Sequence, residues 1–440
     1  MKKTFLSASI TILFAGLAFN SNATNLLDVY QDAVKNDPQT LIAKSQYDVA
    51  RSSESVAFSS LLPKVNLSLG YSNVETELYS SEADLVSDYK YDDVNYGITV
   101  SQSLFSMGNW YALDSAEKRA LQAQANYDLA QQALISRVTS AYFNVLKTQD
   151  SLEFVVAEKK AIERQLEQTK QRFQVGLTAI TDVHEAQANF DAAVAREIRS
   201  QNDIEIAKEA LREITGAYYK ELDGLNTERF DAALPSPMQA QGWVTKAENN
   251  SLELKAKELL VESAKYEIKR ANSGHYPTLN LTGSFSNSDK GIDNTAPGLN
   301  TSSIGLTLNV PLYSGGATSA AVRQAQANYV IASEDMELTH RSVVRKVRTS
   351  YADVVALVSS LKALEQSVVS AESALKATQA GFEVGTRTIV DVLNSTRNLY
   401  NAKRNLSNSR YDYVLSTLSL KQASGSLSAG DVQAVNSGLN

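Results

Sequence analysis

Val65-Asn66-Leu67-Ser68-Leu69-Gly70-Tyr71-Ser72 alternates without a break. Successive side chains of an extended strand point to opposite faces, so this period of two predicts a β-strand with one apolar side. The pattern returns with Val94, Tyr96, Ile98 and Val100 against Asn95, Gly97, Thr99 and Ser101. It returns again with Leu279, Leu281 and Phe285 against Asn280, Thr282, Ser284 and Ser286, and with Ile304, Leu306, Leu308 and Val310 against Gly305, Thr307 and Asn309. Strands are therefore expected at about 62–72, 94–105, 277–286 and 303–312. Their polar faces are small and uncharged. Segments 73–93 and 287–303, polar and acidic, read as surface loops.

In a soluble protein such strands would build a sandwich. Here they form two hairpins separated by well over a hundred residues of helical pattern, and each is about long enough to cross a bilayer when tilted. An open sheet edge in lipid leaves backbone groups unpaired, so a membrane barrel has to close. Four strands cannot close alone. Either the hairpins lie outside a membrane, or two, three or four chains pool them into eight, twelve or sixteen strands.

The chain is a duplication. Leu62 to Leu67 matches Tyr276 to Leu281 at an offset of 214, and Phe105-Ser106 matches Tyr313-Ser314 at 208. Gln122-Ala123-Gln124-Ala125-Asn126-Tyr127 recurs letter for letter at 324–329, an offset of 202, and Phe173 to Val183 matches Phe382 to Val392 at 209. The step from 202 to 209 is one heptad, which leaves the apolar stripe of a coiled coil facing its partner.

Each half continues into long helices. From Asp114 to Phe173 there is neither Pro nor Gly, a span of about 90 Å as a helix. Val138, Val145, Leu152, Leu166 and Phe173 hold one heptad position, and Ala141, Val155 and Ile162 the other. The second half answers with Val347, Val354, Leu361, Val368, Leu375 and Phe382, beside Leu357, Leu364 and Ala371. A narrow stripe flanked by Ala, Ser, Gln and Thr suits helix pairs crossing at coiled-coil angles. Gly176 and Gly385 punctuate the pattern, and the chain runs back. Helices are expected at about 38–60, 110–174, 180–215, 252–272, 318–383 and 389–423. The halves are then a first repeat over 24–215 and a second over 251–424. Residues 216–250 form a mixed equatorial region, and 425–440 a C-terminal tail.

Composition narrows the class. The 440 residues include no Cys, which removes disulfide scaffolds, thiol catalysis and lipid attachment through an N-terminal Cys. Residues 1–23 carry Lys2-Lys3, an apolar stretch from Phe5 to Phe19 and Ser21-Asn22-Ala23, the layout of a bacterial signal peptide cut after Ala23. Beyond it no apolar run is expected to span a bilayer as a helix. Without Lys2 and Lys3, the 42 basic residues fall to 40 against 49 acidic ones, a poor balance for binding nucleic acid.

Catalysis finds no support. His184, His275 and His340 stand in no metal-ligand spacing, and neither a nucleophile elbow nor a phosphate loop occurs. Asp182 and Glu185 share a helix face, but the reading of a solvated helix start outweighs an acid/base pair. Gly315-Gly316 reads as a strand-to-helix turn.

The signal, the duplicated strand-strand-helix-helix plan, and the runs Gln171 to Val183 and Val384 to Leu393 resemble the TolC family of outer-membrane efflux proteins. The resemblance covers essentially the whole chain after the signal. It implies an α+β membrane protein: a homotrimer with a trimeric twelve-stranded β-barrel in the outer membrane, four strands per chain, continuous with a long α-helical coiled-coil barrel in the periplasm. It implies a passive exit duct for drugs, bile salts or toxins. Its partners would be a periplasmic adaptor protein, an inner-membrane pump and outer-membrane lipid, with type I protein secretion as a second use and no cofactor. It further implies a periplasmic gate in which Arg387 bonds Thr181 and Asp182. Phe382 stands where relatives have a Tyr whose hydroxyl adds a bond. An entrance constriction is expected at Asp391 and Asn394, where relatives carry two acidic rings and this chain keeps one. The turns Val175-Gly176-Leu177 and Val384-Gly385-Thr386 would receive adaptor tips. The competing reading is a periplasmic coiled-coil adaptor, which would have one helical hairpin in one β-domain, not two tandem copies. A simple porin would need many more strands per chain.

Overall fold

The computed structural model describes residues 23–78, 87–290 and 299–439. All but the last residue of the expected signal segment 1–23 lies outside them. The elements are α1 (Leu26–Asn36), α2 (Pro38–Ser59), β1 (Lys64–Leu78), β2 (Ser87–Phe105), α3 (Met107–Gln174) and α4 (Ile180–Thr215), then α5 (Ala240–Asn250), α6 (Leu252–Asn272), β3 (Thr278–Lys290), β4 (Leu299–Asn309), α7 (Ala317–Glu383), α8 (Ile389–Ala423) and α9 (Ala429–Asn436).

The strands make one antiparallel sheet in the order β1-β2-β3-β4. The register places Leu67, Ile98 and Phe285 in one row, and Val65, Val100, Gly283 and Ile304 in the next. All the alternating apolar residues therefore share a face, and that face is bare: Leu69 is 76% and Ile304 82% exposed. The other face carries Asn66, Thr99, Ser284 and Ser303, then Ser68, Gly97, Ser286 and Thr301. β1 and β4 are unpaired along their outer edges among the described residues.

The strands run further than their apolar alternation. Residues 73–78, 87–93, 287–290 and 299–303, expected as loops, are strand. Cross-strand polar pairs replace the missing apolar signal: Asn73 donates to Asp92 at 2.8 Å, Glu75 meets Lys90, and Asn287 donates to Asn300 at 2.7 Å.

α3 and α7 have 68 and 67 residues, each about 100 Å long. Each returns through a tight turn into α4 or α8. One 18-residue window of α7 is long and apolar enough by composition to cross a bilayer, with a mean hydropathy of 1.3, contrary to the expectation that no helical run after the start would be. Its Val and Leu residues recur at heptad positions, and Val354 and Leu361 are buried within the chain, so they serve coiled-coil packing.

At the equator α1, α3, α4, α8 and α9 enclose the largest core, with Leu26, Val29, Leu134, Val138, Tyr142, Phe143, Leu211 and Val432. The Tyr142 hydroxyl reaches the carbonyls of Asp223 and Thr24, tying the irregular segment after α4 to the chain start. The tail after Ser424 is not uniformly irregular. α9 starts at a capping box between Ser428 and Asp431, and Lys421 holds Asp431 at 2.6 Å. Asp37, 1% exposed, caps α2 through Thr40 and takes both arms of Arg137 from α3 at 2.9 and 2.6 Å.

Candidate functional site at the helical tip

Two related turns close the hairpins. In the first, Gly176 N–H donates to Phe173 O at 2.9 Å and Leu177 N–H to Arg172 O at 2.8 Å. In the second, Gly385 donates to Phe382 O at 3.2 Å and Thr386 to Gly381 O at 2.9 Å. This double bond is a Schellman stop, which needs a left-handed residue after the helix cap. Gly176 at φ 79° and Gly385 at φ 80° supply it without a Cβ penalty. Beside the glycines Val175, Leu177 and Val384 are each more than two-thirds exposed. Thr386 is also exposed.

The helices that leave the turns start differently. α8 begins with a capping box: the Thr388 hydroxyl accepts from Asp391 N, and the Asp391 carboxylate accepts from Thr388 N at 2.9 Å. The hydrogen bonds that the Asp391 carboxylate accepts from the Thr388 N–H and hydroxyl, with the charge of Arg387, hold it below the usual range. α4 begins at Ala179 with no side-chain cap. There the Asp182 carboxylate accepts a hydrogen bond from the Thr178 hydroxyl.

Ile389 and Leu393 of α8 lock against Ile162 and Leu166 of α3 and Ala186 and Ala193 of α4, with Phe382 packed on this core. Arg397 of α8 reaches Asn189 of α4 at 2.7 Å. Val392 and Leu393 are buried, whereas Asn394 is exposed and Asp391 half-buried, so the two constriction candidates lie away from the core, one turn apart.

The single chain brings Arg387 beside Asp391 and gathers Phe382 into the tip core. It does not bring Arg387 into hydrogen-bond range of Thr181 or Asp182; Asp182 is engaged by Thr178. Two further residues at the tip come from the structure alone. Gly381 sits in the last turn of α7, where a Cβ would lie 2.8 Å from Arg387 Cγ, so its missing side chain makes room for Arg387. A glycine inside an otherwise glycine-free helical run was the available signal. Arg172 lies over the Phe382 ring, 4.7 Å from its centroid, and nothing in its spacing marked it.

Comparison with known proteins agrees with this geometry. The family model for outer membrane efflux proteins matches residues 29–217 and 243–426, one stretch per repeat. The chain is 47% identical over 439 residues to outer membrane protein TolC of Vibrio cholerae serotype O1, covering 99% of this chain and 97% of that protein. It is 40% identical over 449 residues to outer membrane protein TolC of Escherichia coli K12, covering 100% and 90%. The crystal structure of the Campylobacter jejuni CmeC outer membrane channel superposes with a TM-score of 0.78 at 18% identity, covering 100% of this chain and 98% of that one. With both repeats matched, the full length aligned and the strand and helix plan shared, the chain belongs to the outer membrane efflux protein family and is an outer-membrane channel of TolC type, not an enzyme.

Proposed function

We propose that three copies of this chain pool their sheets into one twelve-stranded barrel above a shared helical tunnel. They would act as the exit duct of a tripartite pump for drugs and bile salts, and of type I secretion for protein toxins. The observation that carries this reading is the sheet: one apolar face largely bare and, among the described residues, two unpaired edges, a combination that neither lipid nor water tolerates in a monomer. The exposed turn residues Val175, Gly176, Leu177, Val384, Gly385 and Thr386 are the proposed seats for a periplasmic adaptor that connects to an inner-membrane pump.

The duplication supplies a register for the seam between chains. Inside the chain β2 pairs with β3, and Ile98 lies opposite Phe285. The repeat offsets carry Ile98 to Leu306 on β4 and Phe285 to Tyr71 on β1 of the next chain. Because the protein has no Cys, Leu306→Cys with Tyr71→Cys should cross-link into a covalent trimer of about three chain masses. Leu306→Cys with Val65→Cys, displaced by six residues along the strand, should not. A well-behaved monomer in detergent, or equal cross-linking of both pairs, would refute the arrangement.

Arg387 is proposed to hold Thr181 and Asp182 between neighbouring chains, since among the described residues of its own chain the Asp182 carboxylate is bonded by the Thr178 hydroxyl and not by Arg387. Asp391 and Asn394 would face the pore at the constriction. Three Asp391 carboxylates in a narrow opening create a negative potential that draws cations, and a neutral Asn394 cannot replace it. Asp391→Asn should therefore weaken cation preference in single-channel recordings. Unchanged reversal potentials would leave Asp391 with only its role in the α8 cap.

A further inference from the structure

Arg172 lies in the last turn of α3 and Phe382 in the last turn of α7, so the two residues join the α3–α4 and α7–α8 hairpins near their tips. The guanidinium carbon stands 4.7 Å from the ring centroid. Among the described residues Arg172 makes no ion pair, and its Nε is buried with no hydrogen-bond partner. The groove around the pair is lined by the amides Gln165, Gln168, Gln171 and Gln379 and by Val175 and Glu383, whose carboxylate forms no salt bridge with Arg172. Phe382 in turn is backed by Ile389 and Leu393 of α8. A guanidinium with no carboxylate in salt-bridge range, set over an aromatic face in a partly desolvated groove, is held by the ring quadrupole.

We infer that Arg172 is a positioning residue of the gate: its cation–π contact with Phe382 ties the end of α7 to α3. This inference rests on the gate reading above but uses a different pair of residues and a different force. The chemistry accounts for a phenyl ring at Phe382. The tie needs the face of the ring and not a hydroxyl at its edge, so Phe in place of Tyr keeps it. A release that moves the α7–α8 hairpin away from α3 has to slide the ring out from under the guanidinium.

The test is a double-variant cycle on the full-length protein in planar bilayers, with Arg387→Ser measured alongside. Arg172→Gln keeps a polar, hydrogen-bonding side chain but removes the cation. Phe382→Leu keeps the apolar packing but removes the aromatic face. Each should raise resting conductance roughly fivefold, as expected for loss of one such contact, and the double variant should rise no further than the single ones. Phe382→Tyr, which keeps the ring, should not reproduce the rise. Trimer mass in detergent, measured for every variant, excludes unfolding as the cause. Independent, multiplying effects of the two substitutions, or no effect of either while Arg387→Ser opens the channel, would overturn the tie. A silent Arg387→Ser together with a coupled Arg172–Phe382 cycle would instead remove the Arg387 gate and leave the tie standing.

Discussion

Arg387→Ser is expected to raise resting conductance of the bilayer-reconstituted trimer and to make cells leaky to large antibiotics, with the trimer intact. Arg387 is exposed at the end of the turn, just before the Thr388 cap of α8. Its stem lies against the bare backbone of Gly381. In the proposed trimer it would hold Thr181 and Asp182 of a neighbour by charge-assisted hydrogen bonds. Such a partly exposed contact contributes on the order of 1 kcal/mol, and three acting together bias the tip by a few kcal/mol. That is enough to move a two-state element from almost always shut to appreciably open. Phe382→Tyr, which adds a hydroxyl near the same tip, should lower conductance slightly. Wild-type conductance and wild-type antibiotic entry in Arg387→Ser would show that this residue does not guard the opening.

Removal of the Arg137 guanidinium should have the largest effect on stability. Arg137→Ala would leave the Asp37 carboxylate, 1% exposed, without its bidentate partner. An uncompensated buried charge of this kind costs about 3 kcal/mol or more. Burial tends to raise the Asp37 pKa, but the hydrogen bonds from Arg137 and Thr40 outweigh it and hold the carboxyl below its usual value. A depressed folded-state pKa stabilises the fold above the unfolded value, and that contribution disappears as pH falls through the folded one. Wild-type denaturation midpoints should therefore drop with acid over this window, and the Arg137→Ala variant should lose most of that dependence. Asp37→Asn with Arg137→Gln, which removes both charges, should recover part of the loss. Equal midpoints for wild type and Arg137→Ala near neutral pH would show that the pair contributes little.

Much of the architecture was legible because two periods stand out in the sequence. The four strands follow from alternation at Val65 to Ser72 and its three counterparts, and the long coiled coil from Val138, Val145 and Leu152 with their heptad successors. The strand extensions were not legible, because Asn73, Glu75 and Asn287 hold their places by pairing across strands and not by hydrophobic alternation. α1, of 11 residues, carries Leu26, Val29, Tyr30 and Ala33 at helical spacing behind the Asn25 cap, a signal that was present but went unread, whereas α9, of 8 residues, is too short to show a periodic stripe and owes its helicity to docking of Val432 on a distant core. At the tip, the repeated glycine turns were read correctly as connections. The engagement of Asp182 by Thr178 and the position of Arg172 over Phe382 depend on side-chain directions that no spacing rule encodes.

The polar face of the sheet has a consequence for traffic. In its middle rows it offers Asn66, Ser68, Gly97, Thr99, Ser284, Ser286, Thr301 and Ser303, none of them ionised, and charged residues join this face only towards its ends, at Lys64 and Asp93. If that face lines the bore, an anion, a cation and a neutral molecule meet nearly the same wall. Short hydroxyl and amide groups hydrate readily, so the wall presents bound water to a passing solute and few places to adhere. Dwell time in the outer section should then depend on the size of the cargo far more than on its charge.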